Sequence, residues 1–348
     1  MSLKLKSRVN LKDVAKQAGV SYQTVSKVLK GQGNVSTDTQ ARIQSVVQEL
    51  GYRPNIRARN LREQRSHLIG YFWQPEPPDL YNPILEKFLQ SIIAVAERQE
   101  YHILTFTWQQ KTNLLAECRN LIQTGRIDGL ILSSICFDDP RVACLMELNF
   151  PFVSFGRVNP EWDFAYIDVD GGSGLRQMTE YLLTLGHHRL AVLAWPENSR
   201  TGEDRLQGYY QAMQQAGIPI KAEWIKRGEN SVSAGYNGAK RFLQRPSDER
   251  PTALIGMSDT LAIGAMNAAR DLGLTIGRDV SISGFDDTPL SQYLQPSLTT
   301  VRQPIWEIGQ RSIELLFQIM EGRTLTEYQI LLQPKLIIRQ SAGEVVNQ

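Results

Sequence analysis

The chain has 348 residues, 42% of them hydrophobic, which is ample for two or three domains with sizeable cores. No apolar run is long enough to cross a bilayer, the MSLKLKSRVN start has no apolar leader core, and Cys118, Cys136 and Cys144 form an odd, sparse set without Cys-x-x-Cys spacing. These features argue against a membrane span, an exported protein, a disulfide framework and a zinc site, so a cytoplasmic protein is expected.

The net charge of +2 hides an asymmetry. The first 65 residues hold 13 lysines and arginines against four acids, and the remainder holds 25 against 32. A basic head on an acidic body points to a polyanion-binding module joined to something else. The head reads as three short helices. Leu11, Val14, Ala15 and Ala18 share one helical face, and Gly19-Val20 ends the run. Ser21 can cap a second helix with Val25, Val28 and Leu29 facing inward, ended by Gly31 and Gly33. Ser36 can cap a third, striped by Ile43, Val46, Val47 and Leu50 and stopped by Gly51. Two helices joined by a tight glycine turn and braced by a third make a helix-turn-helix. Its second helix enters the major groove N-terminal end first. Tyr22 and Gln23 then face outward in the first turn. A glutamine can pair bidentately with a base edge, and a tyrosine offers a hydroxyl and an apolar face for a thymine methyl. Thr24 and Lys27 can hold phosphates, and Lys27 can reach guanine.

The motifs LKDVAKQAGVSYQTVSKVL, NVS, ELGYRPN and NLR follow one another between Val9 and Arg62. In that order and spacing they resemble the DNA-binding headpiece of the lactose-repressor (LacI/GalR) family, and the resemblance extends along nearly the whole chain. It implies contacts to operator DNA from Leu11, Ser21, Tyr22, Gln23, Thr24, Lys27, Asn34 and Ser36, and from Asn55, Arg57, Arg59 and Leu61 in the segment RPNIRARNLR. Taken bare, that segment is a short basic stretch. The resemblance implies a hinge that becomes helical when a dimer meets DNA, with Leu61 wedged into the minor groove, where apolar side chains kink the duplex. Lys27 stands where many members carry arginine, and a lysine lacks the bidentate fork.

After Ser66 the chain alternates apolar strands with helical patterns. LIGYFW (68–73), HILTFT (102–107), GLILSS (129–134) and PFVSFG (151–156) form one set. FAYIDV, LAVLAW (190–195), TALIGM (252–257) and VSISGF form a second. Repeated strand–helix units predict an α/β body of two doubly wound parallel-sheet lobes behind an all-α head, with ligands at the carboxyl ends of the strands. The resemblance implies a core like a periplasmic binding protein, crossed three times by the chain. The expected division is a headpiece at 1–53, a hinge at 54–65, a ligand-binding core at 66–340 and a tail at 341–348. Within the core the N-lobe is expected at about 66–168 and 299–328, and the C-lobe at about 169–298 and 329–340.

No catalytic set emerges. DVDGGSG (168–174) opens a helix after a strand but lacks G-x-G-x-x-G and the Walker lysine, and Asp168 and Asp170 would repel a phosphate. His187-His188 has no third metal ligand at useful spacing, and neither G-x-S-x-G nor H-E-x-x-H occurs. No enzyme activity, cofactor or metal is expected. Strand ends instead carry planes and hydrogen-bonding groups suited to a polyhydroxylated ligand: Trp73-Gln74, Arg157, Asp286. The resemblance implies that Arg205, in DRLQGY, clamps hydroxyls, that Asp286, in GFDDT, accepts from them, and that Tyr81, Asn82, Arg157, Asp170 and Ser258 stand at the cleft. Asn230 replaces an aromatic platform, which Trp73 or Trp162 can supply. The expected protein is a homodimeric repressor, without leucine heptads for a tetramer, that binds a pseudo-palindromic operator under control of a sugar. A nucleoside or purine co-repressor is the alternative. A solute-binding protein without a regulatory role fits neither the basic head nor the missing leader.

Overall fold

The computed structural model describes residues 9–29, 31–53, 60, 64–73, 83–107 and 114–345. They fall into two compact units, Met1–Ser66 and His67–Gln348.

The first unit holds α1 (Leu11–Ala18), α2 (Tyr22–Leu29) and α3 (Thr37–Glu49). Asn10 caps α1 in a reciprocal box: its Oδ1 accepts from Lys12 N and Asp13 N, and Asp13 returns a carboxylate to Asn10 N. Gly19 closes α1 at φ 66, a left-handed conformation that favours glycine. Val14, Ala15, Ala18, Val25, Ile43, Val46 and Tyr52 form the buried centre, with Val28, Val47 and Leu50 packed against it. Leu29, expected to face inward, is exposed instead. It lies in the last turn of a two-turn helix, where the chain is already leaving the bundle.

The second unit contains two parallel sheets. The six-stranded sheet has the order β11-β5-β4-β3-β1-β2. Its members are β1 (Leu68–Trp73), β2 (His102–Thr107), β3 (Gly129–Leu132), β4 (Phe152–Phe155), β5 (Tyr166–Val169) and β11 (Gln329–Leu332). Helices α4 (Pro83–Arg98), α5 (Leu114–Gln123), α6 (Pro140–Glu147) and α11 (Ile305–Met320) belong to this lobe. Two apolar clusters form within it, one around Ile69, Phe88, Ile131 and Ile308 and the other around Leu130, Leu132, Val142 and Leu145. The four-stranded sheet has the order β7-β6-β8-β9, from β6 (Leu190–Ala194), β7 (Ile225–Arg227), β8 (Ala253–Gly256) and β9 (Ser281–Ser283). With it go α7 (Gly171–Thr184), α8 (Arg200–Gln215), α9 (Val232–Leu243) and α10 (Asp259–Asp271). Small residues let these helices touch backbone to backbone: a Cβ on Gly208 would overlap the Gly172 carbonyl, and one on Gly235 the Leu261 carbonyl. A two-stranded antiparallel ladder, β10 (Thr300–Arg302) with β12 (Lys335–Ile337), carries the return crossings between lobes.

Three expectations change. FAYIDV does not open the second sheet: β5 pairs with β4 in the first. Residues 329–332 belong to the N-lobe and not to the C-lobe, because β11 pairs with β5 from Gln329↔Tyr166 to Leu332↔Val169. The last residues also do not form a free tail. Ser341 and Ala342 are buried, Ile282 N donates to the Ser341 carbonyl, and Val345 N donates to the Leu185 carbonyl.

Candidate functional site

In the head, the start of α2 presents its polar side chains outward. Ser21 caps the helix, accepting from Thr24 N at 3.1 Å, and its hydroxyl lies 2.9 Å from that of Thr24. Tyr22 is 48% exposed, and Gln23, Lys27 and Asn34 are exposed as well. Val25, between them, is buried, so the helix is oriented by its core side. Gly33 adopts φ 90, and a Cβ there would press on the stem of Lys27. Ser36 caps α3 through Thr39, and Leu11 is half-buried against the bundle, so these two also have structural work. Asn55, Arg57, Arg59 and Leu61 lie outside the described residues.

In the body, a cavity of about 260 Å³ opens between the lobes at the carboxyl ends of both sheets, where ligands collect in such folds. Arg205, on α8, lies at its centre and is 2% exposed. Its guanidinium is stacked between the rings of Phe285 (3.7 Å to the centroid) and Trp195 (4.6 Å). Nη1 donates to the Met257 carbonyl, Nη2 is 3.8 Å from Asp286 Oδ1, and Nε has no hydrogen-bond partner among the described residues. A buried N–H without an acceptor costs free energy, so Nε is the part of the guanidinium open to an added acceptor. Gly171 makes this position possible, since a Cβ there would meet the Arg205 stem.

Asp286 follows β9 at φ 124, a conformation that side-chain-bearing residues rarely adopt. Burial pushes its carboxyl up to about 7, against the pull of Arg205. Gln303 Nε2 donates to its Oδ1 at 2.5 Å. The next residue, Asp287, holds Arg302 and Arg339 at 2.6 Å each and so fixes the crossover strands to this loop. From the N-lobe side Ile135, Cys136, Phe155 and Asp168 reach the wall; from the C-lobe side Ser199, Thr201 and Asn230 do.

Arg205, Asn230 and Asp286 of the expected set thus meet in one cavity. Others stand elsewhere. Arg157 is not on the wall. Its Nε donates to Asp168 at 2.9 Å and its Nη2 to Asp204 at 2.6 Å, so it links the N-lobe to α8. Trp162 packs, partly buried, against the apolar cluster of the N-lobe. Asp170 caps α7, accepting from Ser173 N, and also accepts from Gln333. Ser258 caps α10 and donates to Asn230 Oδ1 at 2.5 Å, which orients that amide from behind. Gln74, Tyr81, Asn82 and the side chain of Trp73 lie outside the described residues. Trp195, Phe285, Asp168 and Gln303 were not picked out as ligand groups from sequence. The strand-end rule could have found the first two, which close LAVLAW and VSISGF.

A parallel two-sheet body with a buried arginine and carboxylate between its lobes, joined to a helix-turn-helix with an exposed recognition edge, defines a ligand-responsive DNA-binding regulator. Residues 10–55 match the model of bacterial regulatory proteins of the lacI family, and residues 179–342 match a periplasmic binding protein-like domain. Over 341 residues, 97% of each chain, the sequence is 32% identical to the HTH-type transcriptional repressor CytR of Escherichia coli (strain K12). The structure superposes on a lac repressor dimer bound to operator and the anti-inducer ONPF with TM-score 0.83, at 29% identity over 96% of this chain and 99% of that one. It superposes on a transcriptional regulator CelR–cellobiose complex with TM-score 0.73, at 28% identity over 96% of this chain and 100% of that one. The chain belongs to the LacI family: it is a transcriptional repressor with a DNA-binding helix-turn-helix and an effector-binding body. Among the described residues no helix is long and apolar enough to cross a membrane.

Proposed function

We propose that the chain acts as a homodimer on a pseudo-palindromic operator, and that a sugar bound between the lobes sets its affinity for that DNA. The observation that carries the effector assignment is Arg205, buried in the interlobe cavity with Nη2 beside Asp286 and Nε without a partner among the described residues. A guanidinium edge next to a carboxylate matches a vicinal diol, which donates to one and accepts from the other. The cellobiose bound in the CelR complex is a ligand of that chemistry. Exposed Leu290 and Tyr293, side by side after β9, supply an apolar patch for the second copy. Each subunit then offers Tyr22 and Gln23 to one half-site.

The effector works only through unequal affinity for two arrangements of the lobes. Its binding shifts the balance between hinge segments that pair on DNA and hinge segments that do not. A gel shift against operator-like and random duplexes, with and without sugars and nucleosides, tests the reading. The expected result is a salt-sensitive preference for one duplex that a sugar alters. Absence of any duplex preference refutes the DNA role, and a response to nucleosides alone moves the effector to that class. Leu61→Ala is expected to weaken operator binding at least tenfold and leave effector binding unchanged. Equal loss of both counts against a minor-groove role for Leu61.

A further inference from the structure

We propose that Arg157 and Asp204 form a latch between the two lobes of the body, an ion pair that sets how far the cleft opens and that parts without leaving either charge bare. It stands apart from the repressor reading, and neither effector nor DNA enters its test. Arg157 follows β4 in the N-lobe, and Asp204 lies on α8 in the C-lobe. Nη2 of the arginine donates to Asp204 Oδ2 at 2.6 Å, and the two side chains are only 17% and 21% exposed. A partly buried pair of this kind is screened little by salt. A second contact crosses beside it. The Arg200 guanidinium of α8 rests over the Phe137 ring at 5.5 Å, and Phe137 belongs to the loop after β3. Each side meets the other as a unit. In the N-lobe the two loops are tied reciprocally: Asp138 N donates to Asn159 Oδ1 and Asn159 Nδ2 to Asp138 Oδ1, both at 2.8 Å. In the C-lobe Arg200 and Asp204 stand one helical turn apart.

What separates this pair from a fixed salt bridge is what each partner keeps when the lobes part. Arg157 Nε donates to Asp168 Oδ2 at 2.9 Å, and Asp168 is on β5 of the same lobe. Asp204 Oδ1 accepts from Arg200 Nη2 at 3.1 Å, on the same helix. The four charges therefore alternate in sign, with one pair inside each lobe and one pair across the cleft. Breaking a buried ion pair is strongly disfavoured mainly because a charge is left uncompensated. Here each charge retains a partner in its own lobe, so opening loses only the attraction across the cleft. Such an element is bistable and not merely rigid. Both ends of the alternating row also reach the cavity. Asp168 stands on its wall, and Asp204 immediately precedes the wall residue Arg205. A displacement of either wall residue thus pulls on the latch. Arg157, Phe137, Arg200 and Asp204 are themselves off the wall, which lets the lobe arrangement be altered apart from the wall contacts.

Spin labels on the full chain test the latch directly. Ala143→Cys on α6 and Gln207→Cys on α8 are exposed positions on either side of this flank of the cleft. Cys136→Ser removes the exposed native thiol, and Cys118 and Cys144 are buried. Labelled chain is diluted in unlabelled chain, so that the distance read by pulsed electron resonance is the one within a subunit. Asp204→Ala removes the latch, leaves Arg157 on Asp168 and suits a helix. It is expected to lengthen the mean label distance by about 3 Å or more and to broaden its distribution. Arg157→Gln should do the same from the other lobe, although it also strips buried Asp168 of its cation; either variant that keeps the wild-type circular dichroism suffices. Arg245→Gln is the control. It removes an exposed pair with Glu223 inside the C-lobe and should leave the distance as in wild type. An unchanged or shorter distance in a folded latch variant overturns the proposal. So does an equal lengthening in Arg245→Gln, which would make the response one to lost charge anywhere.

Discussion

Arg205 is a charge removed almost wholly from water, and what replaces the water among the described residues is incomplete: two rings, one carbonyl, a carboxylate at 3.8 Å and no acceptor on Nε. Such a group is held at a cost, which bound effector offsets on the proposed reading. Arg205→Lys keeps the charge but loses the planar fork and the stacking. It should lower effector affinity at least tenfold, about 1.4 kcal/mol, in calorimetry, while operator binding in the absence of effector persists. Loss of both together would make Arg205 a folding residue only. Asp286 adds a pH signature. Its carboxyl, ordinarily near 3.8, sits at about 7 because burial penalises the charged form. Between those values the folded state binds the extra proton, so stability falls as pH rises through this window, no more steeply than about 1.4 kcal/mol per pH unit from this one group. Asp168, Asp204 and Asp259, raised by burial too, act in the same direction, so the test is the difference between wild type and Asp286→Asn. On the proposed reading effector binding runs the other way, because the ionised carboxylate is the better acceptor of hydroxyl hydrogens. Affinity should rise from pH 6 to pH 8 in wild type and stay flat in Asp286→Asn.

At the scale of elements, the sequence was most legible where structure is local. Caps at Ser21 and Ser36, glycine stops at Gly19 and Gly51, and apolar strands between turns all carry their cause within a few residues. What escaped was non-local. QILL at β11 alternates half-buried with exposed residues and reads as an edge strand, but nothing within it says which sheet it will join. Trp162 and Trp195 look alike as letters, yet one enters the apolar cluster and the other stacks on a guanidinium, and only the fold separates them. The partnership of Arg157 was hidden for the same reason, since Asp204 lies 47 positions away. The close helix pairs of the C-lobe were equally hidden, because a glycine inside a helix gives no hint of its neighbour. Gly264 illustrates the point. A Cβ there would overlap the Val232 carbonyl, which is backbone and cannot step aside. Overpacking of this kind typically costs about 1–3 kcal/mol. Gly264→Ala should therefore lower the unfolding temperature of the body and leave the separate headpiece transition unchanged; an unshifted body transition would mean that α9 and α10 can slide apart freely.

For the whole molecule, the question is how two binding functions on one chain become one regulated function. A single headpiece offers one recognition helix and a handful of phosphate contacts, which is too little for tight, selective binding. Two headpieces on one body convert the second docking into an intramolecular event with a high effective concentration. On the proposed dimer, pairing of the subunits is the term through which a change in the body acts on the DNA, and it is carried by surface the monomer leaves uncovered. Tyr293 is 74% exposed and Leu290 54% exposed, two large apolar side chains four residues from the cavity group Asp286 at the nearer end. The turn that carries them is pinned from beneath, with Thr288 N and the Ser291 hydroxyl both donating to buried Asp259. Replacing both apolar residues, Leu290→Asp with Tyr293→Asp, should give a folded monomer in sedimentation. Its operator affinity should fall about 100-fold or more as the second half-site is lost, with effector affinity within a few-fold of wild type. A double variant that stays dimeric would move the interface to another face. A monomer that still binds operator with full affinity would show that the head alone suffices, and would leave the effector no route to the DNA through subunit pairing.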